Sequence, residues 1–389
     1  MIRRSLRFLL HFAAGCLLVG AVIVAFECVL LNQEVAQQRQ VDDPLSGTGV
    51  SVRSSNVHHA LRPGSVIEHP LVDGTINRVP INSFGLRGPE PVVPKPANTY
   101  RIVMLGDETI FAPNLRESET AAFQLQSLLQ QATRHQVEVV NAAVPGYCPL
   151  LSLLQFRHNL VGLHADLIVL NYDMSDPSDD RRYRSSLRSD SDGFSLSCSH
   201  PALMGGIPDE KSGPIGRFAI GRWLVGRLSE PRGSQNLTQR YAWLRPGAFD
   251  EWKASANSSL GPVVELSQMA RQLSVRFILT GTPVSPDRIG GLDQETTLES
   301  VWREPDQLLA EFAEKQQIEY CRPFSTAPDP SDLLSETGLS RRGHQALAVE
   351  LAAQVRGLNS APYRQETKVQ QVSGTVSYTH LTLPTNREV

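Results

Sequence analysis

The chain has 389 residues, of which 41% are hydrophobic, and its 37 basic and 40 acidic residues give a formal net charge of -3. That length is sufficient for one large hydrophobic core with appendages. The near balance of charge excludes the basic surface that nucleic-acid-binding proteins use to release counterions from phosphates. We therefore expect no nucleic-acid partner.

The first predicted element is a nearly continuous apolar stretch, Phe8–Leu31. Its length matches the roughly 20 residues that cross the hydrocarbon core of a bilayer. Arg3, Arg4 and Arg7 precede it, so the positive-inside rule predicts a cytoplasmic N-terminus and an exported, periplasmic remainder. We predict a single-pass membrane anchor; a cleaved signal peptide and lipidation at Cys16 are the alternatives.

Residues 32–80 follow the apolar stretch with little apolar pattern, and we interpret them as a linker or stalk. From residue 100 onward, strand-like and helix-like segments alternate. The predicted strands are Tyr100–Asp107, Val137–Asn141, Ala165–Tyr172, Val275–Thr280 and Ile318–Tyr320. The predicted helices are Thr120–Gln131, Leu150–Leu163, Val263–Leu273, Asp306–Gln316 and Gly343–Val355. Such alternation produces right-handed crossovers and a parallel sheet, so we predict an α/β domain over residues 81–358.

Two further segments interrupt or follow this domain. Residues 177–260 form a polar insertion that we expect to pack over the carboxyl ends of the strands, where open parallel sheets bind ligands. Residues 359–389 are expected to form a disordered tail. Within that tail, residues 376–389 resemble translated sequencing-adapter read-through rather than natural protein sequence.

The five cysteines are spread along the chain: Cys16, Cys28, Cys148, Cys198 and Cys321. Because none belongs to a Cys-x-x-Cys or Cys/His cluster, we expect no metal site and no cofactor. A disulfide between Cys198 and Cys321 is one option if the domain is exported.

Four blocks of the domain follow one another in a characteristic order and spacing: Tyr100–Asp107, Val137–Tyr147, Asp166–Asp176 and Leu339–Ala348. With the upstream lead-in Asn82–Arg87 they resemble the SGNH, or GDSL, hydrolase superfamily. Members of that superfamily mostly cleave esters, and some transfer acyl groups to or from carbohydrates. The resemblance implies a three-layer α/β/α sandwich with a flavodoxin-like parallel sheet.

The catalytic positions of that family are occupied by other residues in this chain. The family uses a serine nucleophile, a histidine base, an aspartate that orients the histidine, and an oxyanion site built from a glycine N–H and an asparagine amide. The resemblance places Glu108 at the serine, Gly338 at the histidine and Ser335 at the aspartate. Gly146 matches the oxyanion glycine, whereas Ser175 replaces the asparagine. We therefore expect no ordinary serine-esterase activity.

Other polar residues near these blocks have ordinary explanations. Asp107 and Glu108 are adjacent carboxylates, but adjacent side chains usually point apart and do not form the pair that glycosidases use. His344 lies six residues from the expected base, and we interpret it as a polar residue at the start of the last helix. Four acidic residues follow the third strand, namely Asp173, Asp176, Asp179 and Asp180. We interpret them as a solvated loop rather than a metal site. The candidate residues of a ligand pocket are Asp107, Glu108, Gly146, Ser175 and His344.

Three functions stay open at this point. The favoured one is a non-catalytic domain on the outer face of a bacterial cytoplasmic membrane that binds a glycan, an acylated ligand or a protein partner. The alternative is an active esterase or acyltransferase on carbohydrate or lipid esters that uses displaced residues, for example His200 in the insertion. The third is a purely structural subunit of a membrane complex.

Overall fold

The computed structural model describes residues 49–203 except Val72, then 259–283, 298–323 and 338–356, together with 18–31 and residues 11, 14, 15, 220, 253, 256, 334 and 335. Among these residues, no helix is both long and apolar enough to cross a bilayer. The anchor predicted at Phe8–Leu31 falls partly outside the described residues and stays a prediction. Residues 359–389 also lie outside them.

The strands in chain order are β1 (Ser51–Arg53), β2 (His59–Leu61), β3 (Val66–Pro70), β4 (Ile76–Pro80), β5 (Thr99–Leu105), β6 (Gln136–Asn141), β7 (Leu167–Asp173), β8 (Leu187–Ser189), β9 (Ser195–Cys198), β10 (Arg276–Thr282), β11 (Glu319–Cys321), β12 (Leu334–Ser335) and β13 (Gly338–Leu339). The α-helices are α1 (Glu108–Phe111), α2 (Ala121–Ala132), α3 (Pro149–Gln155), α4 (Asp176–Tyr183), α5 (Gly261–Gln272), α6 (Leu298–Gln316) and α7 (Arg341–Arg356). Helix α3 continues through a π-turn, Phe156–Leu160, and a 3-10 turn, Val161–Leu163.

Five of these strands form a parallel sheet in the order β11-β10-β7-β5-β6. The predicted α/β fold with a parallel sheet is thus confirmed, and each strand of the sheet lies within two residues of its predicted bounds. The order reverses between β5 and β7, and such a switch point opens a crevice at the carboxyl ends of the strands. The turn after β5, where the resemblance places the nucleophile position, lies at that crevice.

Helices cover both faces of the sheet. Because side chains alternate along each strand, each strand packs against the helices on both faces. On β5, Ile102 and Met104 pack in one cluster with α2 and α7, whereas Val103 and Leu105 pack in a second cluster with α5 and α6; α3 contributes to both clusters. Strands buried on both faces are continuous apolar runs, which is the pattern that the sequence shows there.

Helix α6 begins earlier than predicted. The predicted helix Asp306–Gln316 starts after Pro305, because proline usually ends a helix. The structure instead begins α6 at Leu298 and includes Pro305 within it.

The segment 49–80 is part of the folded domain. Strands β1 and β2 pair in antiparallel fashion, and so do β3 and β4. The segment contributes to the first core cluster through Val50, Val57, Leu61, Ile67 and Val79. The linker predicted over 32–80 is therefore wrong for 49–80, since strands of three to five residues with only one or two inward side chains leave a weak pattern. Residues 32–48 lie outside the described part of the chain.

The outer edge of β6 is already bonded to side chains and to another segment. Gln126 Oε1 accepts from Val139 N at 2.9 Å, and Gln130 Oε1 accepts from Val137 N at 2.8 Å. At the end of the strand, Asn141 forms an antiparallel bridge with Arg87. Helix α2 supplies both glutamines, so the helix caps the edge of the sheet that it packs against.

The lead-in Asn82–Arg87 forms a tight turn that delivers an arginine to the core. Asn82 Oδ1 accepts from the backbone N–H groups of Phe84 and Leu86, both at 3.0 Å. Gly85 has a φ of 72°, and a Cβ there would lie 2.9 Å from Leu61 O. Glycine is therefore required at this turn.

Arg87 then holds the loop that follows α1. Its guanidinium donates to the carbonyl oxygens of Phe111, Ala112 and Leu115, the last at 2.8 Å, and its Nε donates to Glu117 at 2.9 Å. The arginine is 2% exposed, so these bonds satisfy a charge that is removed from water. The lead-in thereby fixes the C-terminal end of the helix that begins with Glu108.

The cysteines described in the structure are free thiols. The disulfide considered between Cys198 and Cys321 is not formed, and both residues are buried. Cys198 ends β9, outside the parallel sheet, and its Sγ donates to Tyr183 O at 3.5 Å. Cys321 ends β11 at the opposite edge of the sheet from β6. The two thiols therefore belong to different parts of the fold.

Candidate functional site

The candidate site lies at the carboxyl ends of β5, β6 and β7. Strand β5 ends at Leu105 and the chain turns through Gly106 and Asp107 into α1, whose first residue is Glu108. The loop after β6 carries Gly146, and the turn after β7 carries Ser175. The sheet therefore brings the nucleophile and oxyanion positions of the family to one place, as the order of the blocks predicts.

Glu108 binds the backbone of the oxyanion glycine. Its Oε2 accepts from Gly146 N at 3.0 Å. Gly146 has a φ of 79°, a left-handed conformation that glycine adopts readily. In the family this N–H donates to the negative oxygen of a reaction intermediate, and here a side-chain carboxylate takes that bond.

Asp107 supports the turn and is buried. Its Oδ1 accepts from Thr109 N at 2.8 Å and caps the N-terminus of α1, which is the role that aspartate commonly has before a helix. Thr109 Oγ1 in turn donates to Asp173 Oδ2 at 3.2 Å across the switch point. These bonds tie the start of α1 to the end of β7.

Ser175 faces carboxylates rather than the crevice. Its N–H and its Oγ both donate to Asp173 Oδ1 at 2.5 Å, and Oγ lies 3.4 Å from Asp179 Oδ2. The residue is fully buried. Ser175 therefore does not replace the asparagine amide as a donor to an oxyanion.

Gly338, which the sequence blocks place at the histidine position, packs tightly against α1. It has a φ of +131°, and a Cβ there would lie 3.1 Å from Thr109 Cα and 3.2 Å from Thr109 Oγ1. Gly338 pairs with Ser335 between β12 and β13. The backbone of β13 thus lies directly against α1. The side chain of Ser335 and the intervening residues 336 and 337 lie outside the described part.

Replacing Gly338 with alanine should lower the free energy of unfolding by about 2 kcal/mol, because the φ is unfavourable for an L side chain and the neighbour is backbone. Gly162 is the matched control: a Cβ there meets nothing within 4 Å. Urea unfolding of Gly338→Ala and Gly162→Ala checks this difference. Equal stabilities of the two variants would contradict the close contact with Thr109.

His344 has a structural role. Its Nδ1 accepts from Ala121 N at 3.0 Å, so it caps the N-terminus of α2 from the distant helix α7. Burial and then the charge of Arg87 lower the pKa of His344 to about 3, against the opposing effect of the Thr109 backbone. Its Nδ1 lone pair is occupied, so the imidazole does not act as a base at Glu108. The interpretation as a helix-start residue is the one that the structure supports.

The acidic run after β7 is buried, not solvated as predicted. Asp173, Asp176, Asp179 and Asp180 are each at most 4% exposed. Among the described residues, no group of three or more Asp, Glu, His or Cys side chains has the geometry to hold a metal ion. Burial, followed by the charges of Asp173 and Asp107, raises the pKa of Asp176 well above its usual range. The run was misjudged because Asp173 ends β7 and the other three residues belong to helix α4, Asp176–Tyr183, rather than to a loop.

Three buried histidines lie beneath the oxyanion loop, and of these the sequence pointed only to His200, as a displaced catalytic residue. His58 and His59 come from the segment predicted to be a stalk, and His200 comes from the insertion. The ring of His200 packs against His58 with centroids 4.7 Å apart. The adjacent His-His pair beside β2 was the signal available in the sequence. The described part of the insertion, 177–203, packs next to the oxyanion loop, because Tyr183 Oη donates to Gly146 O at 2.9 Å.

A cavity of about 910 Å³ lies elsewhere, between α5 and α6. Val264 and Phe312 give it an apolar wall, and Arg303 and Lys315 line it as well. None of the candidate residues of the site lines this cavity. We place the candidate site at Glu108, because the chemistry-bearing groups converge there and not in the cavity.

No protein-family model and no curated protein matches the chain. Solved structures similar to it include TesA, with 12% identity, a TM-score of 0.37, and coverage of 66% of this chain and 99% of that chain. A catalytic mutant of the acetylxylan esterase Axe2 from Geobacillus stearothermophilus has 13% identity, a TM-score of 0.35, and coverage of 66% and 94%. A GDSL-like lipase from Bacteroides thetaiotaomicron has 11% identity, a TM-score of 0.33, and coverage of 66% and 88%. Solved structures similar to this chain thus include GDSL-type hydrolases, the superfamily that its sequence blocks also resemble, at low identity and with partial coverage.

Proposed function

We propose that this protein is a non-catalytic member of the SGNH-like proteins, held at the outer face of a membrane, that acts by binding a ligand or as a subunit of a complex. One observation carries the loss of catalysis: the Glu108 carboxylate accepts the Gly146 N–H at 3.0 Å. An ester substrate needs that N–H for the negative oxygen of its tetrahedral intermediate.

The electrostatic cost of Glu108 is large. A carboxylate about 4 Å from a developing oxyanion repels it by ~4 kcal/mol at an effective dielectric of ~20. That energy corresponds to roughly a thousandfold reduction in rate. The substrate oxygen would also have to displace the Glu108 carboxylate from the Gly146 N–H. The site therefore favours binding of Glu108 over binding of the oxyanion.

The missing base adds to this cost. Gly338 offers no side chain at the histidine position, and His344 already binds the backbone of α2. In a well-studied serine protease, loss of the serine or the histidine costs about six orders of magnitude in kcat. A hydroxyl restored at residue 108 alone would therefore lack the group that removes its proton.

Hydrolysis of short-chain p-nitrophenyl esters by the full chain in detergent tests this proposal. We expect wild type, Glu108→Ala and Glu108→Ser all to show only the buffer rate, and we expect no labelling of wild type by a fluorophosphonate probe. Turnover by wild type that vanishes in Glu108→Ala would overturn the non-catalytic assignment. Labelling of a serine in wild type would instead favour an active esterase or acyltransferase with displaced residues.

The location at a membrane rests on the apolar stretch near the N-terminus. The described residues 18–31 are helical and expose apolar side chains; Leu18, Val22 and Val24 are each more than 60% exposed. A helix with such a surface is suited to lipid rather than to water. The candidate ligands are a glycan, an acylated molecule or a protein partner. Purification from detergent with a stable stoichiometric protein would favour the complex-subunit form of the proposal.

A further inference from the structure

The peptide bond between Pro145 and Gly146 is held from both sides. On one side, Gly146 N donates to Glu108 Oε2 at 3.0 Å. On the other side, Pro145 O lies 3.1 Å from His59 Nε2. The N–H and C=O of a trans peptide point in opposite directions in one rigid plane. Fixing the carbonyl therefore fixes the direction in which the N–H points.

His59 is itself firmly placed. Its side chain is fully buried, and Tyr147 Oη donates to its backbone oxygen at 2.6 Å. A carbonyl oxygen only accepts, so the Nε2 atom that faces Pro145 must carry the proton. The opposite ring atom, Nδ1, lies 3.0 Å from His58 Nδ1, and a single proton fits between these two atoms. The neighbouring ring thus limits the protonation states that His59 can adopt.

His58 has the backbone conformation that brings the two rings together. Its φ is 60°, whereas successive side chains of an extended strand point to opposite sides. Its N–H donates to Cys198 O at 2.6 Å, and its ring packs against the rings of Tyr183 and His200, both at 4.7 Å. Tyr183 also binds Gly146 O, so both carbonyls of the Pro145–Gly146 unit are anchored to this histidine cluster.

We infer that His59 is the positioning residue of the oxyanion peptide: through Pro145 O it directs the Gly146 N–H at the group in the site. It also polarises the peptide, because a hydrogen bond at the carbonyl strengthens the N–H of the same amide as a donor. The residue comes from the N-terminal segment 49–61, which lies outside the four family-like blocks. The inference rests on the proposed function only in that the site is the one bearing Glu108.

The test follows the Gly146 amide directly by NMR on the full chain in detergent micelles. Labelling with carbonyl-¹³C proline and ¹⁵N glycine selects the three Pro-Gly peptides of the chain, whose glycines are Gly64, Gly146 and Gly247. We compare wild type with His59→Leu, which removes the donor, and with His59→Gln, which keeps a side-chain N–H. Gly64 serves as the internal control.

In His59→Leu we expect the Gly146 amide to exchange with solvent at least tenfold faster and its proton resonance to move upfield. His59→Gln should restore most of both properties, whereas a role in packing alone would not be restored by an amide. Unchanged exchange and shift of Gly146 in a folded His59→Leu variant would overturn the inference, as would equal changes in both variants. Ester turnover by wild type is measured separately, so failure of the proposed function is distinguishable from failure of this inference.

The imidazole nitrogens of wild type provide a second measurement if His59→Leu does not fold. Their ¹⁵N shifts report which ring atom carries the proton, and the His59 signals are identified by their loss in His59→Gln. We expect the proton of His59 on Nε2 at neutral pH. A ring protonated on Nδ1 alone would not be able to donate to Pro145 and would overturn the inference.

Discussion

Replacing Arg87 with methionine should lower the free energy of unfolding by about 4 kcal/mol, as measured by urea unfolding of the full chain. The guanidinium satisfies the carbonyls of Phe111, Ala112 and Leu115, and its Nε binds Glu117. Each buried carbonyl left without a donor costs about 1–3 kcal/mol, although relaxation of the loop recovers part of the sum.

Two variants separate this effect from a general effect of removing an arginine. Arg87→Lys keeps the charge but offers a single nitrogen instead of a planar fork, so we expect it to lose about half as much stability. Arg116→Met removes an exposed arginine whose ion pair with Asp73 spans 3.5 Å, and it should change stability by less than ~0.5 kcal/mol. If Arg87→Met and Arg116→Met were equally stable, Arg87 would not be holding the end of α1.

Acidification should destabilise the fold through His344. Its folded pKa is lowered to about 3, while the unfolded chain has the ordinary value of about 6.5. Above pH 6.5 the imidazole is neutral in both states and has no effect on the pH dependence. Below pH 6.5 His344 is protonated in the unfolded chain but stays neutral in the folded protein. The free energy of unfolding therefore falls by ~1.4 kcal/mol per pH unit until the pH approaches 3. At pH 5 the loss from this residue is about 2 kcal/mol.

The measurement compares the free energy of unfolding of wild type and His344→Asn between pH 7.5 and pH 4.5. Asparagine keeps an oxygen that can accept from Ala121 N, but it does not titrate. The buried carboxyls with raised pKa values, such as Asp176, have the opposite pH dependence, but they are present in both proteins and cancel in the difference. We expect the free energy of unfolding of wild type, relative to that of His344→Asn, to fall steadily below pH 6.5. Parallel curves for the two proteins would show that His344 is protonated in the fold as readily as in the unfolded chain.

His58 should show the same behaviour. Burial, followed by the charges of His59, His200 and Arg182, lowers its pKa to about 2. His58→Gln should therefore remove a second contribution of the same sign and similar slope below pH 6.5.

The sheet was predictable because its strands are buried on both faces. Such strands appear in the sequence as uninterrupted apolar runs, and Ile102–Leu105 is a clear example. The order of the blocks also placed Glu108 and Gly146 at one edge, since parallel strands present their carboxyl ends together. The assignment of Glu108 and Gly338 to the serine and histidine positions rests on residue identities alone and stays a prediction.

Contacts that depend on fractions of an ångström or on distant segments could not be predicted from the sequence. The bond from Gly146 to Glu108 joins residues 38 positions apart, and Gly146 has a left-handed backbone. The glycine at position 338 reads as a missing histidine, whereas the structure shows a φ of +131° and backbone 3.1 Å from where a Cβ would lie. His59 was overlooked because its strand is only three residues long and lacks a recognisable period.

The glutamines of α2 have a consequence for how this protein can assemble. An unprotected outer strand can recruit a strand from another chain by backbone pairing. Here Gln126 and Gln130 already occupy the N–H groups of Val139 and Val137, and Arg87 covers Asn141. A strand from another chain would have to break these hydrogen bonds before it could form its own with β6. Recruitment by sheet extension at β6 is thus disfavoured, and an assembly partner has to meet a helical surface, the switch-point crevice or another side of the molecule.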